Sequence, residues 1–332
     1  MDIFYRLRQF DIFSHFSDPQ IDQIWSCTSQ VHHPKDTTVI REGDKSLDPY
    51  LVDTGKVRIQ RNTHYGTYVL AELTAGDLFG ETSFIDGYAR SSDALVVAAA
   101  SLFPLNATAL HKLIESDTRF ALALYWSFWK SLSQKLRHTT ERLAQFPDFG
   151  HGGGASAEVE VPKSGNGSIR VGITAKRDLF REQKLSQLEI NFLASLSQER
   201  SLAPGEIIFR EGDEGDALYV VLDGRVMISK QIAGAGDEAL EFVERGGYFG
   251  EMALIDNEPR SADVKADESG AVVLAIPRKV LEGILDIQKV SSIRLLRLLC
   301  NLVARRLRNV DDKLVGWFIF SGGTGSSLEA PP

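Results

Sequence analysis

Short runs of alternating apolar and polar residues are the clearest pattern in this chain. Between Leu218 and Ala275, apolar residues recur at every second position, in runs that end at Gly, Asp or Asn. Such runs are typical of the strands of a jelly roll or barrel. We therefore predict a mainly β fold with flanking helices, built as two tandem β-jelly-roll domains.

Two longer segments carry apolar residues at alternating three- and four-residue spacing, which predicts helices with one buried face. Such a face either packs within its own domain or pairs with a second copy of the chain, and both interpretations stay open. The two faces comprise Tyr125, Trp129, Leu132, Leu136, Thr139, Leu143 and Phe146, and then Ile293, Leu296, Cys300, Val303, Leu307, Val310, Leu314 and Trp317.

The chain contains an internal repeat. Arg-Glu-Gly-Asp occurs at residues 41–44 and again at 210–213, an offset of 169, and Gly55 is matched by Gly224 at the same offset. Phe-Gly-Glu occurs at residues 79–81 and 249–251, and an arginine follows each of these glycines by ten positions. Four short motifs at nearly one offset indicate a tandem duplication.

The repeat sets the predicted domain boundaries. The first domain covers residues 1–146, and the second covers residues 171–320. Residues 147–170 are rich in Gly and Ser without an apolar period, so we predict a flexible linker. Residues 321–332 have the same character and are predicted to be a disordered tail.

Charge and cysteine content narrow the class of function. The net charge is −8, which disfavours binding to a nucleic-acid backbone, and the two cysteines have no metal-ligand spacing. The seven histidines all precede the second copy and form no metal-binding motif, so we expect no metal. Without a secretory signal or an apolar span, we expect a cytoplasmic protein that does not insert into membranes.

The segment from Phe249 to Ala262 carries the chemistry. Gly250 leaves the following backbone N–H groups open to an anion, and Arg260 can supply a planar set of donors suited to phosphate. A carboxylate such as Glu251 would repel a plain anion, but it can accept a hydrogen bond from a hydroxyl. A phosphate next to a hydroxyl describes a ribose phosphate, and a cyclic one suits so small a cradle.

These residues resemble the phosphate-binding segment of the cyclic nucleotide-binding domain family. The resemblance covers roughly residues 10–146 and 177–318. It implies a β-roll that binds cAMP or cGMP through the arginine, with the ribose hydroxyl on the glutamate. The first copy departs from the family pattern at Thr82, Ser83 and Ala89.

The resemblance assigns two sets of ligand-binding residues. In the second domain they are Phe249, Gly250, Glu251, Met252, Ala253, Arg260, Ser261, Ala262 and Asp311. In the first domain they are Phe79, Gly80, Glu81, Thr82, Ser83, Arg90, Ser91, Ser92, Thr139 and Thr140. Thr139 and Thr140 match a Thr-Ser pair that contacts adenine in bacterial catabolite activator proteins, which favours cAMP in the first site. In the second copy, Asp311 aligns with this position. Its carboxylate would suit guanine there, or Asp311 would be only a solvated charge on the helix.

The functions of two related protein classes, catabolite activators and protein kinase A regulatory subunits, are disfavoured. The residues after Trp317 are too few for the helix-turn-helix of catabolite activators, so we expect no direct DNA binding. The layout is similar to that of protein kinase A regulatory subunits, but no pseudosubstrate motif is present. We predict a bacterial, non-catalytic sensor that signals to a protein partner through its C-terminal helices. A homodimer through those helices, a ligand-free scaffold and a regulator with a separate DNA-binding partner stay open.

Overall fold

The computed structural model describes residues 3–144, 173–185, 187–232, 236–255, 257–284 and 293–323. The predicted linker lies outside these ranges, as does most of the predicted tail. By packing, the chain divides into Met1–Thr139 with Cys300–Pro332 as one compact unit and Thr140–Leu299 as the other. The repeat therefore places the last helix in the second copy, whereas packing places most of it with the first.

The first copy has helices at both ends and six strands between them. Its elements are α1 (Ile3–Gln9), a 3-10 turn (Asp11–Phe13), α2 (Asp18–Ser26), β1 (Val31–His33), β2 (Thr38–Ile40), β3 (Tyr50–Thr63), β4 (Gly66–Leu73), β5 (Leu78–Phe79), α3 (Glu81–Asp86), β6 (Asp93–Pro104), α4 (Ala107–Ser116) and α5 (Thr118–Ala144).

The second copy repeats this order. Its elements are α6 (Ile173–Glu182), α7 (Gln187–Leu196), β7 (Gln198–Leu202), β8 (Ile207–Phe209), β9 (Ala217–Ile232), β10 (Gly236–Glu244), β11 (Tyr248–Phe249), α8 (Met252–Ile255), β12 (Asp263–Pro277), α9 (Arg278–Ile284) and α10 (Ile293–Phe320).

The strands of each copy form a six-stranded antiparallel sheet, and the pairing is the same in both. In the first copy β6 pairs with β1, β2 and β3, and β3 pairs with β4 and β5. In the second, β12 and β9 take the places of β6 and β3. Two β-rolls with flanking helices confirm the predicted fold class.

The predicted alternation does not describe the start of β9, where both faces of the strand are buried. Leu218 and Val220 are buried, while Tyr219 and Val221 between them belong to the core of the roll. A strand covered on both sides reads as a nearly continuous apolar run, as Ala217 to Leu222 does.

The repeated Gly55 and Gly224 mark a close approach of two strands. Their φ angles are 87° and 72°, and an added Cβ would lie 2.3 Å from a backbone oxygen of Ala99 or Gly270 respectively. Any side chain there would force β3 from β6, or β9 from β12, so the repeat conserves glycine for a steric reason.

The two helical faces are mostly buried as the spacing predicts, although Ile293 and Trp317 are only half-buried and Phe146 lies outside the described residues. In α5 the residues from Tyr125 to Leu143 on this face are all buried. In α10 the face from Cys300 onward packs within the first compact unit, where the Cys300 thiol donates to the Tyr125 carbonyl oxygen at 3.2 Å and Phe318 lies against Tyr68. Packing within the chain thus accounts for this part of the face, and the homodimer stays a prediction. Within the described ranges, no helix combines the length and apolar character needed to cross a membrane.

Candidate functional site

The two arginines singled out by the repeat are buried and similarly placed. Arg90 is 4% exposed and Arg260 is 3% exposed. Each donates from Nη1 at 2.7 Å to the carbonyl oxygen of the glycine ten residues earlier, Gly80 or Gly250. The fixed spacing in the sequence therefore reflects a direct contact, and neither arginine is a solvated surface residue.

The repeated Arg-Glu-Gly-Asp motif holds the backbone of each arginine. Gly43 N donates to Arg90 O at 2.9 Å, and Arg90 N donates to the carbonyl oxygen of Asp44 at 2.8 Å. In the second copy, the backbones of Gly212 and Asp213 make the same two bonds to Arg260, at 2.9 and 2.8 Å. The sequence marked this motif as part of the repeat and as a resemblance to the cyclic nucleotide-binding domain family, and not as a support for the arginine. Its nearly equal spacing to the arginine in the two copies was the available clue to this role.

Gly80 and Gly250 have φ angles of 76° and 79°, which L side chains rarely adopt. A Cβ would also lie 2.6 Å from Nη1 of Arg90 in the first copy and 2.7 Å from Nη1 of Arg260 in the second. Glycine is thus required both by the turn and by the arginine folded against it.

Glu81 is completely buried beside Arg90. Its Oε1 accepts hydrogen bonds from the Lys135 ammonium and from Ser131 Oγ, both on α5. Its Oε2 is buried and has no hydrogen-bond partner. A carboxyl oxygen without a partner can accept a further hydrogen bond. Lys135 and Ser131 were not predicted, because nothing in the sequence relates α5 to this glutamate.

The first-copy residues line a pocket that opens to solvent and has a cavity volume of about 90 Å³. Thr140 is buried but is not among its lining residues. The predicted residues that line it are Phe79, Gly80, Glu81, Thr82, Ser83, Arg90, Ser91, Ser92 and Thr139. The sequence did not predict the remaining lining residues Ile40, Ile59, Leu70, Ala71, Leu73, Ala94, Lys135 and Leu307.

Asp311 lies elsewhere than predicted. It was assigned to the second site, but the structure places it on the wall of the first pocket, together with Leu307. The reason is that this part of α10 packs with the first copy. The same packing explains a departure of the first copy from the family pattern, because Ser83 accepts a hydrogen bond from Arg308 of α10 at 3.2 Å.

The second copy has a smaller pocket, with a cavity volume of about 50 Å³. The predicted residues that line it are Gly250, Glu251, Met252, Ala253, Arg260, Ser261 and Ala262, joined by Phe209, Ile228 and Val264. Phe249 was predicted to bind ligand, but it lies in the core of the roll, stacked on Tyr219 at a centroid distance of 5.1 Å.

The electrostatic surroundings of the two arginines differ. Burial lowers the pKa of both guanidinium groups, which nevertheless stay protonated in proteins. Arg260 lies over the Phe209 ring, 4.2 Å from its centroid, and pairs with the exposed Asp216 at 3.2 Å. Arg90 donates to Ser46 Oγ and to the carbonyl oxygens of Gly80 and Asp48.

In the parts of the chain that the structure describes, no three His, Cys, Asp or Glu side chains are grouped so that they could hold a metal ion. Each pocket is instead lined by a buried arginine, whose guanidinium group suits an anion.

Comparison with known proteins agrees with the geometry. The family described as "Cyclic nucleotide-binding domain" matches residues 30–117 and 199–288, together more than half of the chain. The chain belongs to this family, and it contains the domain twice.

Relatives with both domains include kinases and a kinase regulator. The chain is 24% identical to a cGMP-dependent protein kinase of Eimeria tenella over 82% of its own length and 22% of that protein. It is 23% identical to a cAMP-dependent protein kinase regulatory subunit of Dictyostelium discoideum over 76% of its own length and 64% of that protein. It thus spans about a fifth of the kinase and under two thirds of the regulatory subunit.

Among solved structures, the regulatory domain of Toxoplasma gondii protein kinase A crystallised with cAMP is 20% identical, with a TM-score of 0.33. The alignment covers 88% of this chain and 92% of that one. Eimeria tenella and Dictyostelium discoideum are eukaryotes, so these two relatives do not support the predicted bacterial source.

Proposed function

We propose that this chain is a cyclic nucleotide sensor with one binding site in each β-roll. The observation that carries the proposal is a buried guanidinium, folded against a glycine turn, beside a buried glutamate in both copies. Membership of the cyclic nucleotide-binding domain family supports it.

The charge of Arg90 points to an anionic ligand. A buried charge is costly unless it is paired. In the described part of the chain, no carboxylate forms an ion pair with Arg90, and its side chain donates to the neutral oxygens of Ser46, Gly80 and Asp48. In the second copy the Arg260 Nε is buried without a hydrogen-bond partner. A phosphate would provide both the counter-charge and the acceptors.

Glu81 supports a hydroxyl next to that phosphate. Its orphaned Oε2 is an acceptor in a fully buried position, and a ribose hydroxyl is a donor of the right size. Because Glu81 and Arg90 line the same pocket, one ligand can satisfy both. A ribose cyclic phosphate has this combination of groups.

Discrimination between purines is proposed for the first pocket. Asp311 and Thr139 both line it, whereas the described lining of the second pocket contains no residue of α10. A carboxylate accepts two adjacent hydrogen bonds, which matches the N1–H and N2–H₂ edge of guanine. We therefore propose that the first site prefers cGMP, in place of the cAMP preference that Thr139 and Thr140 suggested.

The output is proposed to be a change in the helices that follow the rolls, transmitted to a protein partner and without a catalytic step in this chain. The ligand can drive such a change only through its different affinities for two arrangements of those helices. The relatives named for kinases and a kinase regulatory subunit support a protein kinase as the class of partner.

Isothermal titration calorimetry with cAMP and cGMP tests the proposal. We expect two binding events for the wild-type protein, one lost in Arg90→Ala and the other lost in Arg260→Ala. Truncating a buried charged group that pairs with the ligand costs about 2–5 kcal/mol of binding free energy.

Arg119→Ala is the matched control, because this arginine is exposed at the start of α5. It should bind both nucleotides like the wild type. Absence of binding by the folded wild-type protein to either nucleotide at millimolar concentration would overturn the proposal.

A further inference from the structure

Arg308 of α10 binds α3, the short helix that carries Glu81 of the first site. Its Nε and Nη2 bind the two carboxylate oxygens of Asp86 at 2.6 and 3.1 Å, and Nη2 also donates to Ser83 Oγ at 3.2 Å. Its Nη1 donates to the Ala89 carbonyl oxygen at 3.1 Å. The Asp86 side chain is fully buried and that of Arg308 is 15% exposed, so the two form a bidentate ion pair that is shielded from water.

A second contact lies one helical turn further along α10. Asp312 accepts a hydrogen bond from Arg61 Nη1 at 2.5 Å, and Arg61 Nε donates to the Ser91 carbonyl oxygen at 2.5 Å. Arg308 and Asp312 thus hold α10 at both ends of the segment between α3 and β6. That segment contains Arg90, the residue at the centre of the first site.

Helical geometry relates these contacts of Arg308 and Asp312 to the first pocket. Residues four apart lie on the same face of a helix, so Arg308 and Asp312 form one row, and Leu307 and Asp311 form the adjacent row. Fixing the first row fixes the rotation of α10, which turns the second row toward the first pocket. Both Leu307 and Asp311 line that pocket.

We propose that Arg308 is a positioning residue of the first site, which is completed by the last helix of the second repeat. Arg308 touches no ligand in this scheme. It holds α10 so that Leu307 and Asp311 form the wall against which the purine packs. The inference rests on the proposed function and adds that binding in the first site depends on a residue more than 200 positions away in the sequence.

The test compares Arg308→Ala in two backgrounds by calorimetry with cGMP and cAMP. In Arg260→Ala protein, which retains only the first site, we expect the affinity for the better-bound nucleotide to fall at least about tenfold, because the wall is no longer held. In Arg90→Ala protein, which retains only the second site, the same change should leave the affinity within about twofold.

Arg305→Ala is the matched control, since this arginine lies on the exposed face of the same helix. It should leave first-site affinity unchanged. If Arg308→Ala does not fold, as judged by its thermal unfolding, Asp312→Asn replaces it, because Asp312 is 61% exposed and its loss should still loosen α10.

Three outcomes overturn the inference. They are unchanged first-site affinity, an equal loss at both sites, and a gain in first-site affinity, which would show that α10 obstructs the pocket. These outcomes differ from failure of the proposed function, in which the wild-type protein already binds neither nucleotide.

Discussion

The two rolls share the glycine, glutamate and arginine that are proposed to bind the ribose phosphate, and they differ in the residues that surround these three. Arg90 and Arg260 have the same glycine contact and the same backbone support from the Arg-Glu-Gly-Asp turn. The first pocket also has walls from α5 and α10, whereas the described lining of the second comes from the roll and its short helix α8. Duplication thus preserved the chemistry of anion binding while the helices around it diverged.

This difference predicts that the two sites recognise different parts of the nucleotide. We expect the first pocket, which has polar groups on its helical wall, to distinguish purine edges. The second, lined mainly by the roll, is expected to recognise chiefly the shared ribose phosphate. Variants of equivalent residues in the two copies can break or sharpen this comparison.

The largest effect is expected from Gly80→Ala and Gly250→Ala. Each adds a Cβ within 2.7 Å of the guanidinium at a positive φ, so each should abolish binding at its own site and spare the other. Gly87→Ala is the control, because Gly87 has a φ of 73° with open space around it and should cost only about 1 kcal/mol of folding free energy. Calorimetry and urea unfolding measure the two quantities. Equal behaviour of Gly80→Ala and Gly87→Ala would contradict the steric argument.

A smaller effect is expected from Asp311→Asn, measured in the Arg260→Ala background. The amide has one acceptor and a donor that opposes the guanine edge, so first-site affinity for cGMP should fall about tenfold while that for cAMP changes little. Calorimetry with both nucleotides gives the ratio. An unchanged ratio would show that Asp311 does not set the preference.

The smallest effect is expected from Phe209→Ile, which copies the first-roll residue Ile40 into the second roll. It removes the ring on which Arg260 lies at 4.2 Å and should cost about 1 kcal/mol, seen as a several-fold loss of affinity at the second site. First-site affinity in the same protein is the internal control. No loss at the second site would indicate that the ring serves only as core.

Most of the residues proposed to bind the ribose phosphate could be predicted from the sequence. The ten-residue spacing from glycine to arginine, the glutamate and the repeated turn all lie close together in the chain or recur at one offset, so local patterns determine them. Phe249 shows the limit of this reasoning. The motif includes it, but the sequence does not say that the ring faces the core.

The sequence by itself determined two rolls, two anion cradles and the buried face of each long helix. Only the tertiary structure decided what covers that face in α10. A three- and four-residue period shows that one side of a helix is buried, but it carries no information about its partner. Hence Asp311, assigned to the nearer repeat, lies in the other pocket. The partner is set by contacts such as Arg308 with Asp86, which join residues far apart in the chain and depend on the folded shapes of both.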